Sequence, residues 1–423
     1  MVERQNSSRR RVLTLAGTAV VGGLAGCTQS DPDGNESEQP DSTDTPTRPD
    51  CSSPTSLSPE DVKDGGEIAP GCYQADQRLI VENGTLSIDA GVLIEFAAEA
   101  GIDVRSGGSL QTNGTASAPV VLTGSEDVRA SWRGVRFKNS RSDQNMLDHT
   151  IIEYAGDSQW HGADRSKAGL FLESGVTAVI RNVTIKQNAK MGLTATGEQA
   201  DLTIESVSFE GNEAPLWLEA NLVGALDASN AFSNNDDAYV YLGFGHSTTD
   251  VTDEATWPAL GLPYRPTRNV SVAAPVELQP GTTIEFEQDV GMRVHHDGRL
   301  IAEGTGEDPI VFTGIEDISG FWQGLYFINS LSTDNSLEHV VIENGGSSRW
   351  HGGENSVGNL FLRGGDKAAA VSITQSTIRG SGKYGISMEG GARVQGCGGM
   401  VFENNTGADT YNDETGGPIA SCQ

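Results

Sequence analysis

The chain has 423 residues, enough for a large core or two domains, with 58 acidic against 28 basic side chains and a formal net charge of −30. Such a charge repels phosphate backbones, which excludes nucleic acid as an expected partner. Gly supplies 53 residues and only seven of the basic residues are Lys, a balance suited to a turn-rich fold with a carboxylate-hydrated surface at high salt.

Residues 1–26 read as an address label rather than as fold. Ser8-Arg9-Arg10-Arg11-Val12-Leu13 opens an apolar run that continues to Leu24 and is too short to span a bilayer as a mature helix. The run ends in Leu24-Ala25-Gly26-Cys27. This arrangement resembles the lipoprotein signals of twin-arginine-exported proteins of halophilic archaea. The resemblance implies cleavage before Cys27, lipidation of that Cys and attachment to the outer face of the cell membrane. Residues 28–50 are mostly Ser, Thr, Asp, Pro and Glu, so the span 27–71 is expected to be a disordered acidic tether, with the body starting near Cys72.

The four remaining cysteines lie at the two ends of the body, Cys51 and Cys72 at one and Cys397 and Cys422 at the other. Outside the cell an even number reads as disulfides, and of the three pairings the one within each chain end is expected. Neither pair has the spacing of a metal site. No metal and no cofactor is expected.

From residue 72 the chain is written twice. Gly91-Val-Leu-Ile-Glu-Phe returns as Gly281-Thr-Thr-Ile-Glu-Phe, an offset of 190 (281 − 91). The same offset links Trp132-Arg-Gly to Trp322-Gln-Gly and Trp160-His-Gly to Trp350-His-Gly. The copies are assigned to 72–247 and 268–423, with 248–267 as connector. Within a copy, Ile185 to Phe209 and Leu193 to Trp217 are both steps of 24 residues. Short apolar strands at that spacing, broken by Gly and Asn, predict the coils of a parallel β-helix. Asn188, Asn212, Asn234 and Asn404 are expected at strand ends in left-handed conformation, stacking on one another from coil to coil. No helix is expected. Coaxial copies would be about eight coils (190/24) and ~38 Å apart.

One coil in each copy is too long: Ile152 to Ile185 is 33 residues. The excess falls in the Trp160-His161-Gly162 loop and its counterpart at Trp350-His351-Gly352. Strand alternation places His149, Ile151 and Glu153 outward beside the first loop, and His339, Val341 and Glu343 beside the second. Two readings follow. In one, Trp160 and Trp350 are platforms for a sugar ring, with His149, His161, Glu153 and Asp157, and His339, His351 and Glu343, supplying hydrogen bonds or proton transfer. In the other, Trp160 folds back over Ile151 as a lid and Glu153 is a solvated surface residue. Trp132 and Trp322 read as turn packing. Glu126-Asp127 and Glu316-Asp317 read as surface charge rather than a calcium site. The adjacent His295 and His296 point to opposite faces and share no metal.

Coil spacing, Gly-apolar strand starts and Asn-ended strands over about residues 75–410 resemble the right-handed parallel β-helix proteins of the pectin-lyase-like group. The resemblance implies an all-β, tandemly duplicated solenoid. It carries over no catalytic residue. The Asn-Thr-Asp, Asp-Asp, Gly-His-Gly and Arg-Ile-Lys blocks of polygalacturonases are missing as a set, and so is the Arg-x-Pro-x-x-Arg of calcium pectate lyases. The expected function is therefore a surface-anchored binding or structural module for a polysaccharide or other surface polymer. The alternatives are a polysaccharide lyase or hydrolase using Glu153 with His161 and Glu343 with His351, and a scaffold without ligand.

Overall fold

The computed structural model describes residues 51–162, 164–197, 200–243, 248–330, 334–365 and 369–422; the expected export signal, Cys27 and residues 28–50 lie outside them. Each coil is three short strands joined at corners. One coil runs Val92–Phe96, Gly101–Val104, Gly108–Asn113, and the next runs Val120–Gly124, Gly134–Phe137, Met146–Asp148. Within each sheet a strand pairs in parallel with its equivalent in the neighbouring coil, for example Leu93 with Val121, Ile102 with Val135 and Thr112 with Leu147. Parallel strands joined by such crossovers wind right-handed, and the fold is a right-handed parallel β-helix.

Alternation selects what goes inside. Ile94, Leu122, Ile152, Ile185 and Phe209 form one inward column with no exposed surface, each aliphatic or aromatic side chain contributing on the order of 1.5–3 kcal/mol by burial. A single core cluster extends from Val62 to Ile419. Trp132 stacks on Phe96 at 4.4 Å and Trp322 on Phe286 at 4.2 Å, and their indole N–H groups donate to Glu153 O and Glu343 O at 2.7 Å. Two residues after each Trp the chain needs glycine. Gly134 and Gly324 sit at φ 110° and 107°, where a Cβ would lie 2.4 Å from Ala168 O and 2.2 Å from Gly358 O.

Several expectations are corrected. The fold does not begin at Cys72: Thr55–Ser56 already pairs with Tyr73 and Gln74, and a one-turn helix, Pro59–Val62, buries Val62 under the first coil. Pro59 starts this helix, with Ser58 and Asp61 forming a capping box. The disulfides join Cys51 to Cys72 and Cys397 to Cys422.

The expected connector is a coil. Thr248–Val251, Ala255–Trp257 and Tyr264–Pro266 stack on the strands of the following rung, and Trp257 and Tyr264 fill its centre. A 13-stranded sheet, from Leu79–Val81 to Val401–Glu403, passes through both copies; two shorter sheets flank it in the first copy and two in the second.

The copies are also not in phase. Val92–Phe96 belongs to the eight-stranded sheet, but its counterpart Thr283–Phe286 belongs to the long sheet. Five steps lead from Val92–Phe96 to Ala231–Ser233, the chain then passes into the long sheet at Val240–Leu242, and two more steps reach Thr283–Phe286. The repeat is thus seven rungs (5 + 2) plus one sheet rather than eight coils, about 35 Å at ~4.8 Å per rung. Equivalent loops face different sides of the solenoid.

Candidate functional site

The first long loop, residues 155–167, leaves the eight-stranded sheet after Thr150–Glu153 and enters the long sheet at Ala168–Leu172. Trp160 is 7% exposed and packs on Ala168, Phe171, Met191 and Ala214. It is a lid, but over the outward Phe171 of the long sheet and not over Ile151. Leu170 and Leu172 point into the core, so Phe171 points out and needs a cover; the unbroken run Gly169-Leu-Phe-Leu was the signal for a strand buried on both faces.

Two guanidiniums sit against the indole, Arg136 at 4.9 Å and Arg133 at 5.3 Å from its centre. Arg136 is held by Asp103 through bonds of 2.8 and 2.7 Å. Burial alone would raise the Asp103 carboxyl, but hydrogen bonding and charge from Arg136, with Arg105, hold it below its ordinary value.

The second loop, residues 345–357, repeats the packing one sheet further round. Trp350 is 8% exposed against Tyr326 and Phe361, with Arg293 at 5.6 Å. Ser166 and Ser356 tie the two loops alike, each hydroxyl donating to the carbonyl of the His after the Trp. His351 Nδ1 accepts from the Gly353 N–H at 3.1 Å, and its Nε2 lies 2.7 Å from Glu389 Oε1. The His161 ring meets Phe171 edge-on at 5.4 Å.

The remaining predicted residues are not gathered around these loops. Glu153 is not solvated: it is 5% exposed on the outer face of the eight-stranded sheet, paired with Lys186 at 3.2 Å, while Trp160 and His161 cover the next sheet. Asp157 accepts from the Glu99 backbone N–H and from Ser158. His149 precedes the strand that Glu153 ends, about 13 Å away at ~3.3 Å per residue, and pairs with Asp148 at 2.7 Å. His339 holds the matching corner, with a left-handed φ of 47° against 42° at His149. His295 bonds Ser271 at 3.0 Å and His296 lies 2.8 Å from Asp297. Among the described residues no three His, Cys, Asp or Glu side chains are grouped to hold a metal.

Aromatic side chains on the outer faces stack along the ladder and so turn their faces to one another. Trp217 lies on Tyr241 at 4.5 Å with Arg165 at 5.0 Å from its ring, and Tyr384 lies on Tyr411 at 4.6 Å. The flat surface that a sugar ring stacks on is largely taken up within the protein.

A cleft of about 640 Å³ lies elsewhere, on the outer face of the long sheet in the second copy. Its floor is a ladder. Val311 pairs with Val341 and Phe312 with Ile342, which puts Thr313 beside Glu343; Glu343 then pairs with Arg379, and Arg379 with Glu403. Arg379 Nε and Nη2 both lie 2.6 Å from Glu343 Oε2. The turn from Ile315 to Ser319 forms one wall, where Asp317 accepts from the Asn344 amide at 3.1 Å. Of this set the sequence pointed only to Glu343 as a site residue. Arg379 and Glu403 were within reach, because alternation marks them as the outward residues of the next two rungs.

Residues 68–144 match the family model of a pectate-lyase like beta helix domain. No curated protein and no solved structure matches the chain. The matched stretch covers the opening coils of the first copy and ends before either Trp-His loop, so it speaks for the fold and leaves the chemistry of the loops and cleft to their geometry.

Proposed function

We propose that the protein is a binding module for a polysaccharide or similar surface polymer, held on the outer face of the membrane through lipid at Cys27. The observation that carries this reading is the cleft over Thr313, Glu343, Arg379 and Glu403. Rung-spaced donors and acceptors on a rigid sheet suit a ligand that is itself a linear repeat of hydroxyl-bearing units. The Trp-His loops enter this reading as clamps that stiffen the solenoid beside the ligand. The hydrolytic alternative pairs Glu153 with His161 and Glu343 with His351, and in each pair the carboxylate lies on one sheet while the His ring packs on the next, which favours binding over turnover.

A glycan array probed with the mature chain, run with a reducing-sugar release assay, tests the proposal. Retention of at least one polymer without release of sugar is expected. Release that Glu343→Gln abolishes would replace the binding reading with an enzymatic one. Attachment at Cys27 is tested by mass spectrometry of the membrane fraction, where an unmodified Cys27 would refute it.

A further inference from the structure

The same surface in the two copies is shut in one and open in the other. Beneath the first-copy turn that contains Glu126 and Asp127, Thr123 has no exposed surface and Glu153 is 5% exposed. Arg129 crosses the place where the cleft would lie, with Nη1 2.6 Å from Asp236 Oδ2 and Nη2 donating to Gly211 O at 2.5 Å. At the offset of 190 (319 − 129), the second copy has Ser319, and Asn344 replaces Tyr154. Among the described residues the Ser319 hydroxyl reaches only that of Thr406, at 3.5 Å, and Thr313 and Glu343 below it are partly exposed.

The open cleft has a marked charge. Asp317, Glu343 and Glu403 line it against one cation, Arg379, and that guanidinium is already taken by Glu343. Among the described residues neither Asp317 nor Glu403 has a Lys or Arg partner. Ile315, 39% exposed, stands at the cleft's apolar rim. A polymer of acidic sugars would meet two uncompensated carboxylates here and a net charge of −30 on the chain around them.

On the reading that the chain binds a polymer, we infer that the second-copy cleft takes a sugar polymer bearing free amines, and that Arg129 has closed its counterpart, leaving one site per chain. Ammonium groups pair with Asp317 and Glu403 while a sugar C–H face rests on Ile315.

Titration calorimetry of the mature chain at low salt tests this with three probes: a glucosamine hexamer with free amines, its fully N-acetylated form and a galacturonate hexamer. The free-amine hexamer is expected to bind one to one and more tightly than the others. Ser319→Arg, with circular dichroism unchanged, should weaken it more than tenfold. Glu403→Gln and Asp317→Asn should each weaken it roughly two- to fivefold, as for a screened ion pair. Arg129→Ser with Tyr154→Asn should raise the stoichiometry to two; a stoichiometry still at one overturns the closure. Equal binding of the N-acetylated hexamer, or of the free-amine hexamer by the Ser319→Arg chain, overturns the charge or the location while the polymer reading stands. A chain that binds no glycan on the array loses that reading as well.

Discussion

Trp160 and Trp132 are both buried indoles, yet they are held differently. Trp132 donates its N–H to Glu153 O at 2.7 Å, whereas Trp160 Nε1 is buried without a hydrogen-bond partner among the described residues, as is Trp350 Nε1. Replacing Trp by Phe keeps most of the apolar contact and removes the donor. Trp160→Phe and Trp350→Phe should therefore lie close to wild type in urea unfolding. Trp132→Phe should lose about 1–3 kcal/mol more, because it strands a buried carbonyl. Asp103 sets a second residue-scale expectation. Its folded carboxyl titrates below the ordinary value despite burial, owing to Arg136 and Arg105. A depressed folded value means that the stabilisation is complete above the unfolded pKa, near ~3.9, and disappears as pH falls through the folded value. Asp103→Asn leaves the 8%-exposed Arg136 side chain without its main partner and should cost on the order of 3–5 kcal/mol at neutral pH. The gap between variant and wild type should narrow as pH falls below the unfolded value and through the depressed folded one; a gap independent of pH would refute the assignment.

At the scale of the element, the corner that ends each strand divides two tasks between neighbouring residues. The left-handed conformation falls on Gln187, Gly211, Asn234 and Asn404, at φ between 54° and 61°. The ladder is made by the residue that follows. Asn188 Nδ2 donates to Asn212 Oδ1 at 2.8 Å, Asn212 Nδ2 to Asn235 Oδ1 at 3.1 Å, and Asn405 Nδ2 to Ile378 O at 3.3 Å. Asn212→Ala should therefore cost at least ~2 kcal/mol by orphaning buried groups in two rungs. Asn234→Gly should be nearly neutral, since glycine accepts the same backbone angles; urea midpoints that coincide for the two would contradict this division. The sequence showed that Asn stacks at strand ends, but it assigned both tasks to one residue, because Asn suits a left-handed corner and an amide ladder equally well. The coil spacing and inward columns were legible for a simpler reason, since every rung repeats the same alternation. The sheet that receives the second copy was not legible. All sheets use the same Gly-apolar alternation, and the shift arises because three strands, Val240–Leu242, Thr248–Val251 and Ala255–Trp257, rather than two, lie between Ala231–Ser233 and Tyr264–Pro266. The lid's target was missed for a related reason, since alternation gives the face of a strand but not which corner a loop folds across.

At the scale of the whole solenoid, the question is whether two copies of a sequence make two folding units. The hydrogen-bonded rungs of the long sheet continue through the junction, and the buried cluster does too. One step is weaker: between Tyr264–Pro266 and Thr283–Phe286 only Tyr264 and Ile284 are in register, because Pro266 has no N–H to give to the ladder. That loss is offset on the other two sides, where Thr248–Val251 pairs along its length with Asn269–Val272, and Ala255–Trp257 with Val276–Leu278. Trp257 and Tyr264 bridge the seam from inside, the Tyr264 hydroxyl donating to Pro258 O at 2.8 Å. In a stacked repeat, cooperativity is set by such nearest-neighbour interfaces rather than by where the sequence repeats. Trp160→Ala and Trp350→Ala, one in each copy, should each cost roughly 3–5 kcal/mol and shift one shared urea transition with the disulfides intact. If instead each variant split the curve, lowering one midpoint and leaving the other where the wild type has it, the seam at Pro266 would be a true boundary and the copies would unfold as separate bodies.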